Sequence, residues 1–462
     1  MIRFGTSGWR AVISDEFTFR NVRRVARAIA SQVKETPGAA ERGLAVGYDT
    51  RFLSEEFASE AARVVAAEGC RVELAVGPLP TPVLAFVIRE DGFAGGINIT
   101  ASHNPPRYNG MKFSTADGAP ASPDVTRSVE ARLDSVDGAP LVGDVPSVRT
   151  FNPGEAYFAR LGELLDESIL KDSTLRVAVD SRFGTTRGWL DEYLQRCGVE
   201  VVRLHDRRDP LFGDGSPGCD GADLADLAAA VVEQDLDLGV ATDGDGDRFG
   251  IIDAGGRPVS ANSFLGLLVD YLGETRSWSG GVGRTVATTH LIDRVAERRG
   301  LAVHETPVGF KYFNALLADG SIFLAGEESA GLSVKGHVPE KDGVLAACLA
   351  VEMLAARKMP LARQLEVLHD TVGPVFNRRE DRAFPVARRS EIEARLKQRP
   401  GAVAGVAVAH VQTTDGVKWV RADGSWVLVR VSGTEPVVRV YAEADSEDAL
   451  EALLTFGLGV IP

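Results

Sequence analysis

Short apolar strands alternate with polar loops and amphipathic helices over the first three-quarters of the 462-residue chain. The run LAVGY (44–48) ends in Asp49, and the run GGINIT (95–100) leads directly into Ala101 and Ser102. This repeated order predicts an α/β fold with a largely parallel sheet. Because such sheets bind ligands beyond the carboxyl ends of their strands, the polar loops at those ends are the first places to look for chemistry.

The same alternation divides the chain into segments. A helix is expected over residues 19–34, where apolar side chains recur at helical spacing, at Val22, Val25, Ala26, Ile29 and Val33. Residues 136–153 are rich in Gly, Pro and Asp and are typical of a linker. Two further α/β segments follow, with strands such as RVAVD (176–180) and SIFLA (321–325). The last ninety or so residues form short alternating strands with a hairpin turn at Asp423–Gly424, which predicts a small α+β domain.

The length is too great for one hydrophobic core and indicates three or four domains. The formal charge of −14 disfavours nucleic acid as a partner, and no apolar run is long enough to span a membrane. The beginning of the chain has no basic-then-apolar leader, and the four cysteines form no CxxC pair. We therefore expect a cytoplasmic protein. An anionic substrate would require arginine and lysine to be concentrated locally.

Three aspartates, Asp243, Asp245 and Asp247, lie on a glycine-rich loop after the apolar strand LGVAT. Carboxylates at this spacing can converge on one hard cation, because glycine lets the backbone turn tightly. An EF-hand is excluded, since its sixth and twelfth positions would be Arg248 and Ala254 rather than Gly and Glu. The pattern favours metal binding over a solvated acidic loop, and it suits Mg²⁺.

Three other polar loops admit two interpretations each when considered alone. The sequence TASHNP (100–105) places Ser102 beside His103, which could form a nucleophilic pair or an ordinary turn. The sequence GEESAG (326–331) could bind sugar hydroxyls or begin a helix. The sequence RVSGTEP (430–436) could cradle a phosphate or form a hairpin turn with surface arginines. The positive charge that a phosphate requires is available in or beside the loops, at Arg10, Arg51, Lys112, Arg248, Lys311 and Lys341.

Five motifs together carry a specific resemblance. FGTSGWR (4–10), TASHNP, DGDGDR (243–248), GEESAG and RVSGTEP occur in this order along the whole chain, which resembles the α-D-phosphohexomutase family. The resemblance implies three similar α/β domains with mixed, mainly parallel sheets and a C-terminal α+β domain, arranged around a central cleft. We predict four domains, each with one functional loop: residues 1–148 with the phosphoserine loop, 149–255 with the metal-binding loop, 256–372 with the sugar-binding loop and 373–462 with the phosphate-binding loop.

The resemblance also implies a role for each loop. Ser102 would carry the phosphoryl group, and one Mg²⁺ ion would be held by Asp243, Asp245, Asp247 and an oxygen of the phosphorylated Ser102. Arg10, His103, Lys112 and Arg248 would lie at the reacting groups, with Lys112 favoured over His103 as the general base. The substrate would be bound by Lys311, Glu327, Ser329, Lys341, Arg430, Ser432, Gly433, Thr434 and Arg439.

The implied reaction is phosphoryl transfer between O1 and O6 of a hexose phosphate, through a hexose 1,6-bisphosphate that also serves as activator. This is phosphoglucomutase or phosphomannomutase activity in a monomer or homodimer, with a small phosphosugar as the partner. Mannose-accepting relatives often carry a histidine where Gly331 stands, which lowers the expectation for mannose. Glucosamine phosphate is the alternative substrate, and a non-catalytic sugar-phosphate-binding protein is the rival from another class.

Overall fold

The structure is a computed structural model that describes residues 2–5, 8–144, 146–432 and 436–461. It divides into two compact units. The first comprises Met1–Ala261, Phe313–Ala318 and Ser329–Leu361, and the second comprises Asn262–Tyr312, Asp319–Glu328 and Ala362–Pro462. None of the helices in the described ranges combines the length and the hydropathy of a membrane span.

The first unit opens with a six-stranded mixed sheet in the order β1-β5-β4-β2-β3-β6. Its strands are β1 (Trp9–Val12), β2 (Leu44–Tyr48), β3 (Val72–Ala75), β4 (Gly95–Ile99), β5 (Tyr108–Thr115) and β6 (Arg149–Phe151). Its helices are α1 (Phe19–Lys34), α2 (Ala39–Arg42), α3 (Ser54–Ala67), α4 (Thr81–Glu90) and α5 (Pro123–Arg132). Strands β4, β2, β3 and β6 run parallel, and β5 is antiparallel to both β4 and β1.

The predicted helix over residues 19–34 is confirmed, and the predicted linker over residues 136–153 is confirmed only in part. Helix α1 has the predicted bounds and buries the predicted apolar stripe, with Thr18 accepting a hydrogen bond from the backbone of Asn21 as its N-cap. The expected linker over 136–153 is wrong in part, because β6 lies within it and pairs with β3. A three-residue edge strand has too little apolar alternation to be recognised without its partner.

The second sheet of this unit has the order β11-β10-β9-β7-β8, with β8, β7 and β9 parallel and the other two antiparallel. Its elements are α6 (Gly154–Leu164), α7 (Glu167–Lys171), β7 (Arg176–Asp180), α8 (Leu190–Arg196), β8 (Glu200–Leu204), a 3₁₀ turn (Gly221–Leu224), α9 (Ala225–Glu233), β9 (Leu238–Thr242), β10 (Phe249–Asp253) and β11 (Arg257–Val259). Strands β9 and β10 are fully buried, and the predicted metal loop connects them.

The next segment contains α10 (Ala261–Thr275), β12 (Gly281–Thr285), α11 (Leu291–Arg299), β13 (Val303–Thr306), a 3₁₀ turn (Phe310–Tyr312), α12 (Asn314–Ala318), β14 (Ile322–Glu327), β15 (Gly331–Val334), α13 (Gly343–Arg357) and α14 (Leu361–Val372). In the second unit, β12 pairs in parallel with both β13 and β14. The first unit contains β15 and the almost wholly buried helix α13.

The end of the chain forms an antiparallel sheet in the order β16-β21-β20-β19-β18-β17. Its elements are β16 (Phe376–Ala383), a 3₁₀ turn (Val386–Arg388), α15 (Arg389–Leu396), β17 (Ala402–Val403), β18 (Val406–Gln412), β19 (Val417–Arg421), β20 (Trp426–Val431), β21 (Val437–Ala444) and α16 (Glu447–Gly459). Gly424 adopts the left-handed φ of +86° between β19 and β20, which confirms the predicted hairpin. Three α/β sheets followed by an antiparallel α+β domain confirm the predicted fold class.

Candidate active site

Ser102 lies in the first unit, on the loop that connects β4 to β5. Its backbone has a φ of +50°. This left-handed conformation is energetically unfavourable for any residue other than glycine, so the surrounding structure must enforce it. The side chain is buried, and its hydroxyl donates to Asp243 Oδ2 over 2.8 Å. Nδ1 of His103 lies 3.3 Å from the same hydroxyl oxygen. The predicted nucleophile and the predicted metal loop are therefore in direct contact.

Arg51 enforces this loop conformation. Its fully buried guanidinium donates to the carbonyl oxygens of Ser102 (2.5 Å), Asn104 (2.6 Å), Pro105 (2.9 Å) and Tyr108 (3.0 Å). Its Nε also donates to Asp49 over 3.1 Å. The sequence indicates Arg51 only as a source of positive charge for a phosphate, whereas in the structure its guanidinium donates to backbone carbonyl oxygens.

The three aspartates of the second loop are buried and converge. One ligand atom from each of Asp243, Asp245 and Asp247 can be chosen so that all three lie within 4.8 Å of one another. The tight turn between them depends on Gly246, which has a φ of +75°, and a Cβ there would lie 2.7 Å from Thr186 Cγ2. Burial, with help from its two neighbouring carboxylates, raises the pKa of Asp243 to about 8.

Two lysines face this carboxylate cluster. Lys112 Nζ lies 2.6 Å from Asp245 Oδ2 and 3.2 Å from Asp247 Oδ2, and Lys341 Nζ lies 2.8 Å from Asp247 Oδ2. Burial alone would raise the pKa of Asp245 and of Asp247, but the ammonium groups outweigh it and hold both pKa values below the ordinary range. Burial would likewise lower the pKa of Lys112, and the two carboxylates raise it instead.

The cluster fits a divalent cation. Oδ1 of Asp245 and Oδ1 of Asp247 are both buried and accept no hydrogen bond from the residues that the structure describes. A buried carboxylate oxygen without a partner is costly, and a hard cation satisfies it with the ligand type it prefers. Ser102 Oγ lies beside this cluster, 2.8 Å from Asp243 Oδ2.

The remaining predicted residues of the first unit surround the serine loop. Arg10 Nη1 donates to Asn104 Oδ1 over 2.7 Å, and Arg248 Nε lies 3.9 Å from Asp247 Oδ1. Burial, followed by the charges of Arg248 and Arg10, lowers the pKa of His103 to about 3, so the imidazole is neutral at physiological pH. Arg10, Ser102, His103, Lys112, Arg248 and the aspartates thus form one site, and Lys341 joins it.

Asp342, the residue after Lys341, is fixed by three hydrogen bonds. The carboxylate of Asp342 accepts from Tyr157 Oη over 2.6 Å, from His337 Nε2 over 2.7 Å and from the backbone of Leu345 as the N-cap of α13. No sequence motif marks Tyr157, and His337 is noted only as the first residue of HVPEKDG (337–343), because the contacts of both with Asp342 form only in the folded chain.

The second unit contains the predicted phosphate residues and, of the predicted sugar residues, Lys311 and Glu327. Glu327, at the end of β14, accepts from the backbone of Gly309, and Lys311 lies over the ring of Tyr312. The next residue, Glu328, accepts from the hydroxyls of Thr285 and Thr288 at 3.2 Å each, an anchor that sequence analysis missed. Ser329 belongs to the first unit, between β14 and β15.

The predicted phosphate residues lie on adjacent strands of the C-terminal sheet. Arg430 on β20 is directly opposite Arg439 on β21, and each pairs with a carboxylate, Asp415 at 2.7 Å and Asp381 at 3.6 Å. Arg389 donates to the carbonyl oxygen of Ser432, which fixes the beginning of the loop. Gly433 and Thr434 lie outside the described residues.

Four family models of known proteins match successive segments of the chain. Models of phosphoglucomutase/phosphomannomutase match in four places: α/β/α domain I at residues 1–139, domain II at 155–256, domain III at 260–371 and the C-terminal domain at 384–456. A phosphoglucomutase of Komagataeibacter xylinus is 29% identical, over 98% of this chain and 91% of its own. A probable phosphoglucosamine mutase of Methanopyrus kandleri is 31% identical, over 97% and 95%. A solved structure from Thermus thermophilus, described as a candidate phosphomannomutase, is 34% identical with a TM-score of 0.87 over 99% and 98% of the two chains.

Proposed function

The chain belongs to the α-D-phosphohexomutase family, and from this premise we propose that it interconverts hexose 1- and 6-phosphates by passing a phosphoryl group through Ser102. The observation that carries the proposal is the 2.8 Å hydrogen bond from the Ser102 hydroxyl to Asp243, within a buried cluster of three carboxylates. A solvated turn would not hold a strained serine against buried acids.

Asp243, Asp245 and Asp247, with an oxygen of phosphorylated Ser102, would hold one Mg²⁺ ion. When bound, this ion withdraws charge from the phosphoryl group and makes Ser102 Oγ a better leaving group. The protein's own contribution is positioning and neutralisation, because the transition state for phosphoryl transfer is loose and rich in charge. Arg51 holds the serine loop from behind, and Arg10, Lys112 and Arg248 surround it with positive charge.

In the forward half-reaction, a sugar hydroxyl oxygen attacks the phosphorus, and the bond from phosphorus to Ser102 Oγ breaks. Lys112 relays the proton: because its pKa is raised it starts as an ammonium, so it gives a proton to the departing Ser102 Oγ and takes up the hydroxyl proton in its place. The neutral ring of His103 hydrogen-bonds the phosphoryl group, since its Nδ1 already lies 3.3 Å from Ser102 Oγ. The hexose 1,6-bisphosphate then turns around, and Ser102 Oγ attacks the other phosphorus. In this step Lys112 takes the proton of Ser102 Oγ and gives one to the departing sugar oxygen, so it ends as the ammonium with which it began.

The phosphate that is not transferred would bind to Arg430, Ser432 and Arg439, with the backbone and hydroxyl of Gly433 and Thr434. Paired guanidinium groups suit this task because each can make two parallel hydrogen bonds to a phosphate. Glu327, Ser329, Lys311 and Lys341 would bind the sugar and its substituents.

We propose glucose phosphate as the preferred substrate and mannose phosphate as a second one. The motif GEESAG, with HVPEKDG after it, supports glucose, and Gly331 in place of histidine weighs against mannose. Glucosamine phosphate is the alternative, and the similarity to proteins described as phosphoglucosamine mutases supports it. Discrimination among these sugars depends on a few hydrogen bonds to single hydroxyl or amino groups.

Intact mass before and after incubation with glucose 1,6-bisphosphate tests the phosphoserine. Wild-type protein and the exposed-site control Ser135→Ala should gain one phosphoryl group, and Ser102→Ala should gain none and lose mutase activity. Full activity in Ser102→Ala would contradict the proposal. Initial rates with glucose, mannose and glucosamine 1-phosphates then rank the substrates, and a faster rate with glucosamine would establish the alternative.

A further inference from the structure

Two buried polar residues, Thr81 and Asn98, lie behind the metal loop and have no place in the mechanism above. Thr81 is the first residue of α4, and Asn98 is the fourth of the five residues of β4. The hydroxyl of Thr81 lies 2.7 Å from Asp245 Oδ2, and its backbone N–H donates to the carbonyl oxygen of Asp245 over 2.9 Å. One residue thus contacts both the side chain and the backbone of the central aspartate.

The donors around Thr81 determine where its hydroxyl proton points. Asn98 Nδ2 donates to Thr81 Oγ1 over 2.9 Å, and Lys112 Nζ, which has only protons to offer, lies 3.4 Å from the same oxygen. The single hydroxyl proton of Thr81 is therefore left for Asp245 Oδ2. Because Lys112 occupies this same carboxylate oxygen, the other one, Oδ1, accepts no hydrogen bond from the part of the chain that the structure describes.

The local sequence makes this arrangement rigid. Thr81 stands between Pro80 and Pro82, whose rings fix φ on either side, and its β-branched side chain has few rotamers. Asn98 pairs directly with Lys112 across β4 and β5, so both side chains project from the same face of the sheet. The sheet and the helix therefore direct the Thr81 hydroxyl and the Lys112 ammonium to one carboxylate oxygen, and Asn98 supports Thr81.

We propose that Thr81 is a positioning residue that, supported by Asn98, sets the rotation of the Asp245 carboxylate so that Oδ1 remains available to the divalent cation. This inference rests on the proposed metal site. Removing the hydroxyl frees the carboxylate to rotate, and residues that orient a metal ligand in this way typically contribute about 10- to 100-fold to metal affinity.

The test measures binding of Mn²⁺, a spectroscopic substitute for Mg²⁺, to the full-length protein by electron paramagnetic resonance. Thr81→Val keeps the shape and removes the hydroxyl, and Thr81→Ser keeps the hydroxyl as the matched control. We expect Kd for Mn²⁺ to rise about 10-fold or more in Thr81→Val and to stay near the wild-type value in Thr81→Ser. With sugar phosphate as the varied substrate at saturating Mg²⁺, KM should be unchanged in Thr81→Val, because the proposed sugar contacts lie elsewhere.

Asp245→Asn separates the two ways in which the reasoning could fail. If Asp245→Asn loses Mn²⁺ binding while Thr81→Val binds as the wild type does, the role of Thr81 is refuted and the metal site stands. If Asp245→Asn itself binds Mn²⁺ normally, the proposed metal site is wrong and the role of Thr81 with it. Thermal unfolding confirms that each variant is folded, and Thr81→Ala replaces Thr81→Val in the same comparison if the valine variant is not.

Discussion

Replacing Arg51 by methionine tests how the fold holds the serine loop. The guanidinium is fully buried and makes five hydrogen bonds, four of them to backbone carbonyls of residues 102–108. Methionine approximates the apolar volume of the side chain but offers no donor. Asp49 then loses its charged partner in the interior, and the Ser102 backbone loses the contacts that oppose its left-handed conformation.

General energetics give a magnitude for both effects. Removing one partner of a buried ion pair costs about 3–5 kcal/mol in unfolding free energy, because the other charge is left uncompensated. A displacement of about 1 Å at a reacting group can reduce the rate about 100-fold. We therefore expect Arg51→Met to lose about 3 kcal/mol or more in urea unfolding and to lower kcat by about two orders of magnitude.

Two further variants separate stability from positioning. Asp49→Asn in the Arg51→Met background removes the uncompensated carboxylate, so it should recover part of the unfolding free energy. It should not restore phosphorylation of Ser102, which intact-mass measurement detects. Arg107→Met is the control, since Arg107 is an exposed arginine in the same loop that packs on Tyr108. A loss below about 1 kcal/mol in Arg51→Met, with Ser102 phosphorylated at the wild-type rate, would refute the reasoning.

Three other predictions follow from the same structure. Gly246→Ala should lower the unfolding free energy and weaken Mn²⁺ binding, because the new Cβ would meet Thr186. The control Gly255→Ala has a similar φ and open space around it, so it should lower the unfolding free energy by only about 1–2 kcal/mol. Equal effects of the two substitutions would contradict this reasoning. Burial lowers the pKa of Lys418 to about 7, so the unfolded chain binds more protons between pH 7 and the ordinary lysine value of 10.5. Unfolding free energy should therefore rise with pH across that window, and Lys418→Met should flatten the rise in urea titrations; an unchanged slope would exclude the shift. Arg430→Gln should raise KM for glucose 1-phosphate about 10-fold or more without changing Kd for Mn²⁺, and a change in Kd with constant KM would contradict its proposed role.

Much of the fold could be predicted because local pattern and tertiary environment agree. The stripe on α1, the buried strands before the serine and aspartate loops, and the hairpin at Gly424 all follow from periodicity and turn chemistry. Strand β6 could not, since three residues at a sheet edge are ordered by their partner β3 rather than by their own sequence.

The sequence by itself determined which residue types stand at the strand ends: a serine beside a histidine, three aspartates on glycines, and arginines with hydroxyls near the end of the chain. Only the tertiary structure decided how they are used. In the sequence, Arg51 is one of several basic residues, whereas in the structure its buried guanidinium donates to backbone carbonyl oxygens. Thr81 belongs to no recognised motif, and its contact with Asp245 depends on the position of α4. The physical reason is that the direction of a hydrogen bond depends on donors and acceptors far apart in the chain, which meet only when sheets and helices pack.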